Sequence, residues 1–300
     1  MMETGKGPEK KGYRFAAGML IVIQSLVYGF GDPISKIAFE IVPVYSMMTV
    51  RYTIAFVFCI AVFGKRILMT VKSVPVRCWL IPGLCIGLSY VLNNIALDLT
   101  DATSVAFLRS LAVVITPAFA FAAFRKRYRW QHILAQVMVL PGMYLLCVRG
   151  GLSGFGAGEI IALCAAALIA ATLVFTGMYI EQVDPVSMTA LQAGCSAVIA
   201  FVGSLLVEGG VHAGAATPKA WLIILYLAIL CTFLGYLLQN LALTRISDRE
   251  VSLLQSLNPV MTAGFSFLLL GEKLSAAGIA GAAIIIACIS VSALIKDEGN

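Results

Sequence analysis

The chain is 300 residues long, 60% hydrophobic and only 12% charged, with a mean hydropathy of +0.96. Soluble domains run at about 45–50% apolar and about 25% charged, so an ordinary water-soluble domain is excluded. Disorder is excluded by the same numbers, since low hydrophobicity is its signature. The net charge of +6 then carries information through its position along the chain, and no nucleic-acid partner is expected.

If each span takes about 20 apolar residues, the chain has room for roughly ten spans, short loops and no soluble catalytic domain. The apolar runs predict helices near 14–34, 43–63, 77–97, 103–124, 130–148, 157–180, 186–208, 219–243, 249–270 and 275–295. A barrel would instead need short alternating segments, and the pattern has none. Lys6, Lys10, Lys11 and Arg14 precede the first run with no small-residue cleavage site, which reads as a retained signal anchor. The eight cysteines are dispersed among apolar runs without a CxxC pair and read as small packing residues.

Counting Lys and Arg at alternate helix ends gives fifteen on the side of the N-terminus, including Lys65, Arg66, Lys72, Arg77 and the Arg125–Arg129 cluster. Lys36, Arg149, Lys219 and Lys273 make four on the other side. Cytoplasmic loops carry the excess of basic residues, so both termini are expected in the cytoplasm, with the chain in an inner (cytoplasmic) membrane. The Arg125–Arg129 cluster is expected to meet anionic lipid headgroups.

The chain also repeats itself. Sliding 90–127 onto 236–273 needs no gap and matches Tyr90 with Tyr236, Asn94 with Asn240, Ser110 with Ser256 and Thr116 with Thr262. Weaker matches, Gly12 with Gly154 and Pro43 with Pro185, extend the repeat to the earlier helices. Two repeats, 1–150 and 151–300, then hold five helices each. Five is odd, so the second must enter the membrane from the opposite side. Inverted repeats of this kind surround the midplane site of many secondary transporters.

Several segments resemble the EamA-type pattern of the drug/metabolite transporter (DMT) superfamily. They are Tyr28-Gly29 with Ile34-Ser35-Lys36, Arg51-Tyr52, Gly158-Glu159, Tyr236 to Ser247, Leu254 to Val260, and Leu270-Gly271-Glu272-Lys273-Leu274. The resemblance covers essentially the whole chain. It implies an all-α integral membrane protein of ten transmembrane helices in two inverted five-helix repeats. It also implies a central cavity, alternating access, and metabolite efflux or exchange. Tyr28 stands where the family commonly has Trp, Arg125-Lys126 where Gly-Glu is usual, and Arg109 where an apolar residue is common.

Polar side chains inside membrane helices are costly, so each is a candidate for function. Arg51 and Arg109 lie at similar depths and could offer two guanidinium donors to a carboxylate or phosphate. Structurally, either could instead pair with Asp32 or Asp98. Residues 90, 93, 94 and 97 share one helix face, which carries Tyr90, Asn93 and Asn94, and its repeat mate carries Tyr236, Gln239 and Asn240. These faces either line a cavity or hydrogen-bond between helices. Gln255, the repeat mate of Arg109, and Asn258 extend the candidate set, as do Gln24 and Tyr28 at i and i+4 in the first helix.

Asp32, Asp98, Glu159, Glu181, Asp184 and Glu208 all fall near predicted span ends. A facilitator or exchanger follows, or proton coupling through Asp32 or Glu159 near the outer mouth. Gly29-Phe-Gly-Asp32 and Gly151-Leu-Ser-Gly154 spell two intramembrane protease motifs, but the first lacks a preceding carboxylate and Ser153 and His212 fall in loops. No Walker loop, metal-ligand cluster or haem motif is present, so no cofactor or metal is expected. The sequence therefore reads as a transporter and not an enzyme. The leading solute is a small polar metabolite such as an amino acid or other carboxylate. A lipophilic cation is the transport alternative and intramembrane hydrolysis the alternative of another class. The partners expected are the solute and lipid, with the protein a monomer or a homodimer through small-residue helix faces at Gly278, Gly281, Ala282 and Ala283.

Overall fold

The computed structural model describes residues 8–100, 102–125, 130–147, 156–212, 217–270 and 275–294. Lys6, Lys126 to Arg129, Ser153, Gly154 and the Gly271-Glu272-Lys273-Leu274 motif lie outside these residues. Among the described residues the chain is all helical, with no strand. In chain order the helices are α1 (Pro8–Phe39), α2 (Val44–Ser73), α3 (Arg77–Leu99), α4 (Ala102–Ser110), α5 (Ala112–Phe124), α6 (Trp130–Cys147) and α7 (Ala157–Tyr179). They continue as α8 (Pro185–Gly203), α9 (Pro218–Tyr226), α10 (Gly235–Leu243), α11 (Asp248–Leu254), α12 (Leu257–Leu270) and α13 (Ala276–Leu294). Among the described residues, seven stretches are long and apolar enough to cross a membrane: Tyr13–Phe39, Val44–Ser73, Arg77–Leu99, Val105–Phe124, Ala157–Tyr179, Pro185–Glu208 and Pro218–Leu243. Gln136–Leu145 and Ala276–Val291 are shorter apolar helices.

Two boundaries differ from the sequence reading in ways that matter. The second helix departs from helical geometry at Phe63 (φ −120°, ψ 15°), where its span was predicted to end, then continues to Ser73 with Lys65, Arg66 and Lys72 exposed. The first helix was predicted to stop near residue 34, but it absorbs Pro33 and runs on to Phe39. Proline removes one N–H from a helix without ending it when packing holds the flanking turns. Asp32 therefore lies seven residues inside a membrane-spanning helix, roughly 10 Å from its end, and not at a helix end as expected.

Helix breaks divide the later spans. The α4–α5 break at Leu111 and the α11–α12 break at Gln255-Ser256 fall at matching places in the repeat. Both are drawn tight by i→i−3 bonds, Leu111 N to Leu108 O at 3.1 Å and Ser256 N to Leu253 O at 3.0 Å. At the second break Pro259 has no N–H for the carbonyl of Gln255, which accepts from Asn258 N at 2.9 Å instead. Between α9 and α10 the chain widens into a π segment, Leu227–Leu234, whose Thr232 hydroxyl donates to Leu227 O, five residues back, at 3.0 Å.

Polar contacts define which helix ends meet. Arg14 pairs with Glu250, Arg66 with Asp184, and the Cys78 thiol reaches Gln182. At the opposite ends, Thr100 donates to Glu159, and Glu208 accepts from Tyr45 N and Ser46 N at 2.8 Å and from Ser46 Oγ at 2.6 Å. Thus α2 runs antiparallel to α8, and α3 antiparallel to α7. Glu208 closes a second π segment, Ser204–Glu208, and caps the first turn of α2 from a different helix. Loss of a helix N-cap costs about 0.5–2 kcal/mol, so Glu208→Ala is expected to lower unfolding free energy by about that amount in a detergent melt, while Glu181→Ala leaves it unchanged.

The predicted small-residue face of the last helix is used within the chain. A side chain at Gly142 of α6 would come within 2.9 Å of Gly281 O and 3.0 Å of Ile284 Cγ2 in α13, so these helices approach backbone to backbone.

Candidate functional site

The polar residues of the apolar helices converge on two adjoining chambers. The first is lined by Tyr28 of α1, Ile86 and Tyr90 of α3, Arg109 and Ser110 of α4, Thr172 of α7, Gln239 of α10, and Ser252, Gln255, Ser256 and Asn258 around the α11–α12 break, among others. Its volume is about 40 Å³, room for roughly three waters. The second, about half that size, is lined by Tyr28, Asp32, Ser35, Arg51, Tyr90, Asn93, Asn94, Arg109 and Cys231, among others. Tyr28, Tyr90 and Arg109 line both chambers and form the wall between them. The first chamber extends toward the Arg14–Glu250 end of the helices and the second toward the Glu208 end.

The tyrosines form a cluster. The ring of Tyr90 lies 6.2 Å edge-on from Tyr28 and 5.6 Å from Tyr236. Tyr28 reaches this place because residue 235 is glycine: a Cβ there would stand 2.5 Å from Tyr28 Cε1. Beneath it three amides interlock. Gln24 Nε2 donates to Gly235 O at 2.8 Å, and Gln255 Nε2 donates to Gln24 Oε1 at 3.0 Å and Gln239 Oε1 at 2.8 Å.

Charge enters through three residues. Arg109 Nη2 donates to Asp32 Oδ2 at 2.9 Å, and Thr262 Oγ1 donates to the same oxygen at 3.2 Å. Arg51 Nε donates at 2.8 Å to Thr232 Oγ1, the hydroxyl turned inward by the π segment, and its guanidinium carbon lies 5.2 Å from the Tyr52 ring centroid. The two arginines and Asp32 line the second chamber together. Asp32 is thus engaged by a guanidinium and a hydroxyl, not by the second carboxylate that an aspartyl protease motif requires.

Several polar atoms around these chambers are buried without a hydrogen-bond partner: Tyr28 Oη, Asn93 Oδ1, Tyr236 Oη, Ser256 Oγ and Asn258 Oδ1. An unsatisfied buried polar atom costs about 1–3 kcal/mol, and water or a ligand in the chambers would offset that cost.

Of the residues expected from the sequence, Tyr28, Arg51, Tyr90, Asn93, Asn94, Arg109, Gln239, Gln255 and Asn258 line a chamber. Tyr236 supports the tyrosine cluster from behind, and Gln24 acts through Gln239 and Gln255. Asn240 lines neither chamber. Its Nδ2 donates to Thr189 Oγ1 at 3.0 Å and Gln192 Oε1 at 2.9 Å, so it ties α10 to α8. One residue past Gln239, it is rotated by about 100° around the helix, away from the cavity. Asp32 was expected as an arginine partner or a proton-coupling residue and not as part of the substrate-binding set, although it continues the Gln24–Tyr28 face at four-residue spacing; Ser110 and Ser256, which are repeat mates, were not expected.

Apolar helices, paired breaks and a polar interior define a multi-pass membrane protein built around a central site. The pattern of the EamA-like transporter family matches residues 16–148 and 156–294, and the chain belongs to that family, part of the DMT superfamily. A protein of Archaeoglobus fulgidus described as an uncharacterized transporter is 23% identical over 281 residues, covering 94% of this chain and 87% of its own length. A second uncharacterized transporter of the same organism is 24% identical over 192 residues, 63% of this chain and 65% of its own. A protein crystal structure superposes with a TM-score of 0.79 at 18% identity, covering 93% of this chain and 97% of that one. The chain is therefore a membrane transporter by family, with a fold already seen in a crystal.

Proposed function

We propose that this transporter moves a small carboxylate-bearing solute, such as an amino acid, by alternating access between the two chambers. Arg109 is the observation that carries this reading: it is the charged side chain common to both chambers, so a carboxylate held by it can be handed from one to the other. Guanidinium matches carboxylate in two-pronged fashion, and the unpartnered Ser256 and Asn258 atoms offer further polar contacts nearby. The antiparallel run of α2 and α8 supports ten spans in two inverted five-helix repeats that meet near residue 150. The basic bias of the ends around Arg14, Lys65, Arg66 and Arg77 supports cytoplasmic termini in a cell inner membrane and export or exchange. Solute and lipid are then its partners. With the Gly281 face occupied by α6, a homodimer would use another surface.

Bound ligand raises apparent stability by mass action. A thermal-shift screen with amino acids, other carboxylates, polyamines and quaternary amines is expected to give stabilisation by carboxylates. That stabilisation is lost in Arg109→Gln and weakened but kept in Arg109→Lys. The tyrosine cluster favours one competing reading, a cationic drug-like solute held against aromatic faces. Stabilisation by quaternary amines that survives Arg109→Gln would establish that reading in place of ours.

A further inference from the structure

The second chamber brings two guanidiniums and one carboxylate together inside the membrane-spanning bundle. Arg51 is 5% exposed, and the side chains of Arg109 and Asp32 are 11% and 22% exposed. Asp32 and Arg109 cancel at 2.9 Å. Arg51 leans on a neutral hydroxyl and an aromatic ring. The first chamber adds no further charged lining residue. Lys36, one turn beyond Asp32, and Asp98, one turn beyond Asn94, are not among the residues lining either chamber. Among the described residues that line it, the site thus carries one uncompensated positive charge.

Such a charge is costly where water is scarce, and a guanidinium cannot relieve it by shedding a proton. The charge of the ligand decides how it is relieved. A cation adds to it, a zwitterion leaves it unchanged, and a dianion overshoots to one negative charge. A ligand with one net negative charge removes it. We infer that Asp32 is the residue that sets the ligand's charge: by neutralising Arg109 it leaves the pair of arginines worth one positive charge, and the site selects a monoanion. This rests on the carboxylate reading above and narrows it to carboxylates of net charge minus one, a simple monocarboxylate or an acidic amino acid, in place of a neutral zwitterionic amino acid.

The inference makes the preferred ligand charge follow the site charge from one variant to the next. The full-length protein, purified in detergent, would be titrated by thermal shift with propanoate, alanine, methylmalonate and ethylammonium. These small probes share a two-carbon core and carry net charges of minus one, zero, minus two and plus one. The wild type is expected to bind propanoate about tenfold or more tightly than alanine or methylmalonate. Asp32→Asn raises the site charge, and methylmalonate is expected to overtake propanoate. Arg51→Gln leaves the Asp32–Arg109 pair intact but removes the excess charge, and alanine is expected to overtake. If Asp32→Asn fails to fold, Arg51→Gln still tests the rule.

An unchanged ranking in the variants, or a wild type that prefers alanine or methylmalonate, overturns the charge rule alone, provided carboxylate binding is still lost in Arg109→Gln. Ethylammonium binding best, or no stabilisation by any carboxylate, sinks the carboxylate reading itself and the charge rule with it.

Discussion

Arg109→Gln is expected to lower the unfolding free energy by roughly 3–5 kcal/mol, and Asp32→Asn in the same chain to restore most of it. The first change leaves the Asp32 carboxylate, seven residues inside a spanning helix, with the Thr262 hydroxyl as its one hydrogen-bond partner among the described residues and Arg51 across the chamber as the nearest cation lining it. The second removes the stranded charge. Removing one partner of a buried pair costs more than removing both, because the desolvation penalty of the survivor is no longer offset. Denaturant or thermal unfolding of wild type, both single variants and the double variant gives the coupling directly. Additive effects would mean that water in the chambers solvates each charge independently, and that the 2.9 Å contact contributes little to the fold.

The same pair marks where the sequence became hard to read. Long apolar runs fix helices strongly, since lipid demands internally bonded backbone over the whole span, and most of the observed spans start close to the apolar boundaries. What ends a helix is less legible. The first apolar run reads as ending near residue 34, which puts Asp32 near a span end, whereas Ile34 and Ala38 join a buried apolar cluster with Ala220, Ile223 and Ile224 of α9 and the helix runs through to Phe39. The polar faces of α3 and α10 were legible because their repeat mates match. The division of labour inside them was not: Gln239 and Asn240 are neighbours in sequence, yet one lines the cavity and the other binds α8. The π segment that presents Thr232 to Arg51 leaves no trace in an apolar pattern, because one widened turn shifts the facing of residues without changing their composition.

Two glycines on the α1–α12 pair are expected to respond to alanine with opposite signs. At Gly29 an added Cβ would lie 2.4 Å from Met261 Cβ, 2.8 Å from Met261 C and 2.9 Å from Thr262 N. Two of those atoms are backbone, so no rotamer can relieve the clash and the helices must separate. Overpacking of this kind typically costs about 1–3 kcal/mol. It also falls three residues from Asp32, whose bond to Thr262 spans the same two helices at 3.2 Å. Gly29→Ala should therefore loosen the wall between the chambers as well as the fold, with transport falling about tenfold or more if the loss is of that size. At Gly264, on α12, an added Cβ would meet nothing within 4 Å. There alanine only restricts the unfolded backbone, and a gain of about 0.5–1 kcal/mol is expected. Melting curves of the two variants in one detergent test both statements. A Gly29→Ala protein as stable as Gly264→Ala would mean that α1 and α12 can part at no cost, and the close approach that holds Asp32 against Thr262 and Arg109 would then be one conformation among equals and not the ground state of the site.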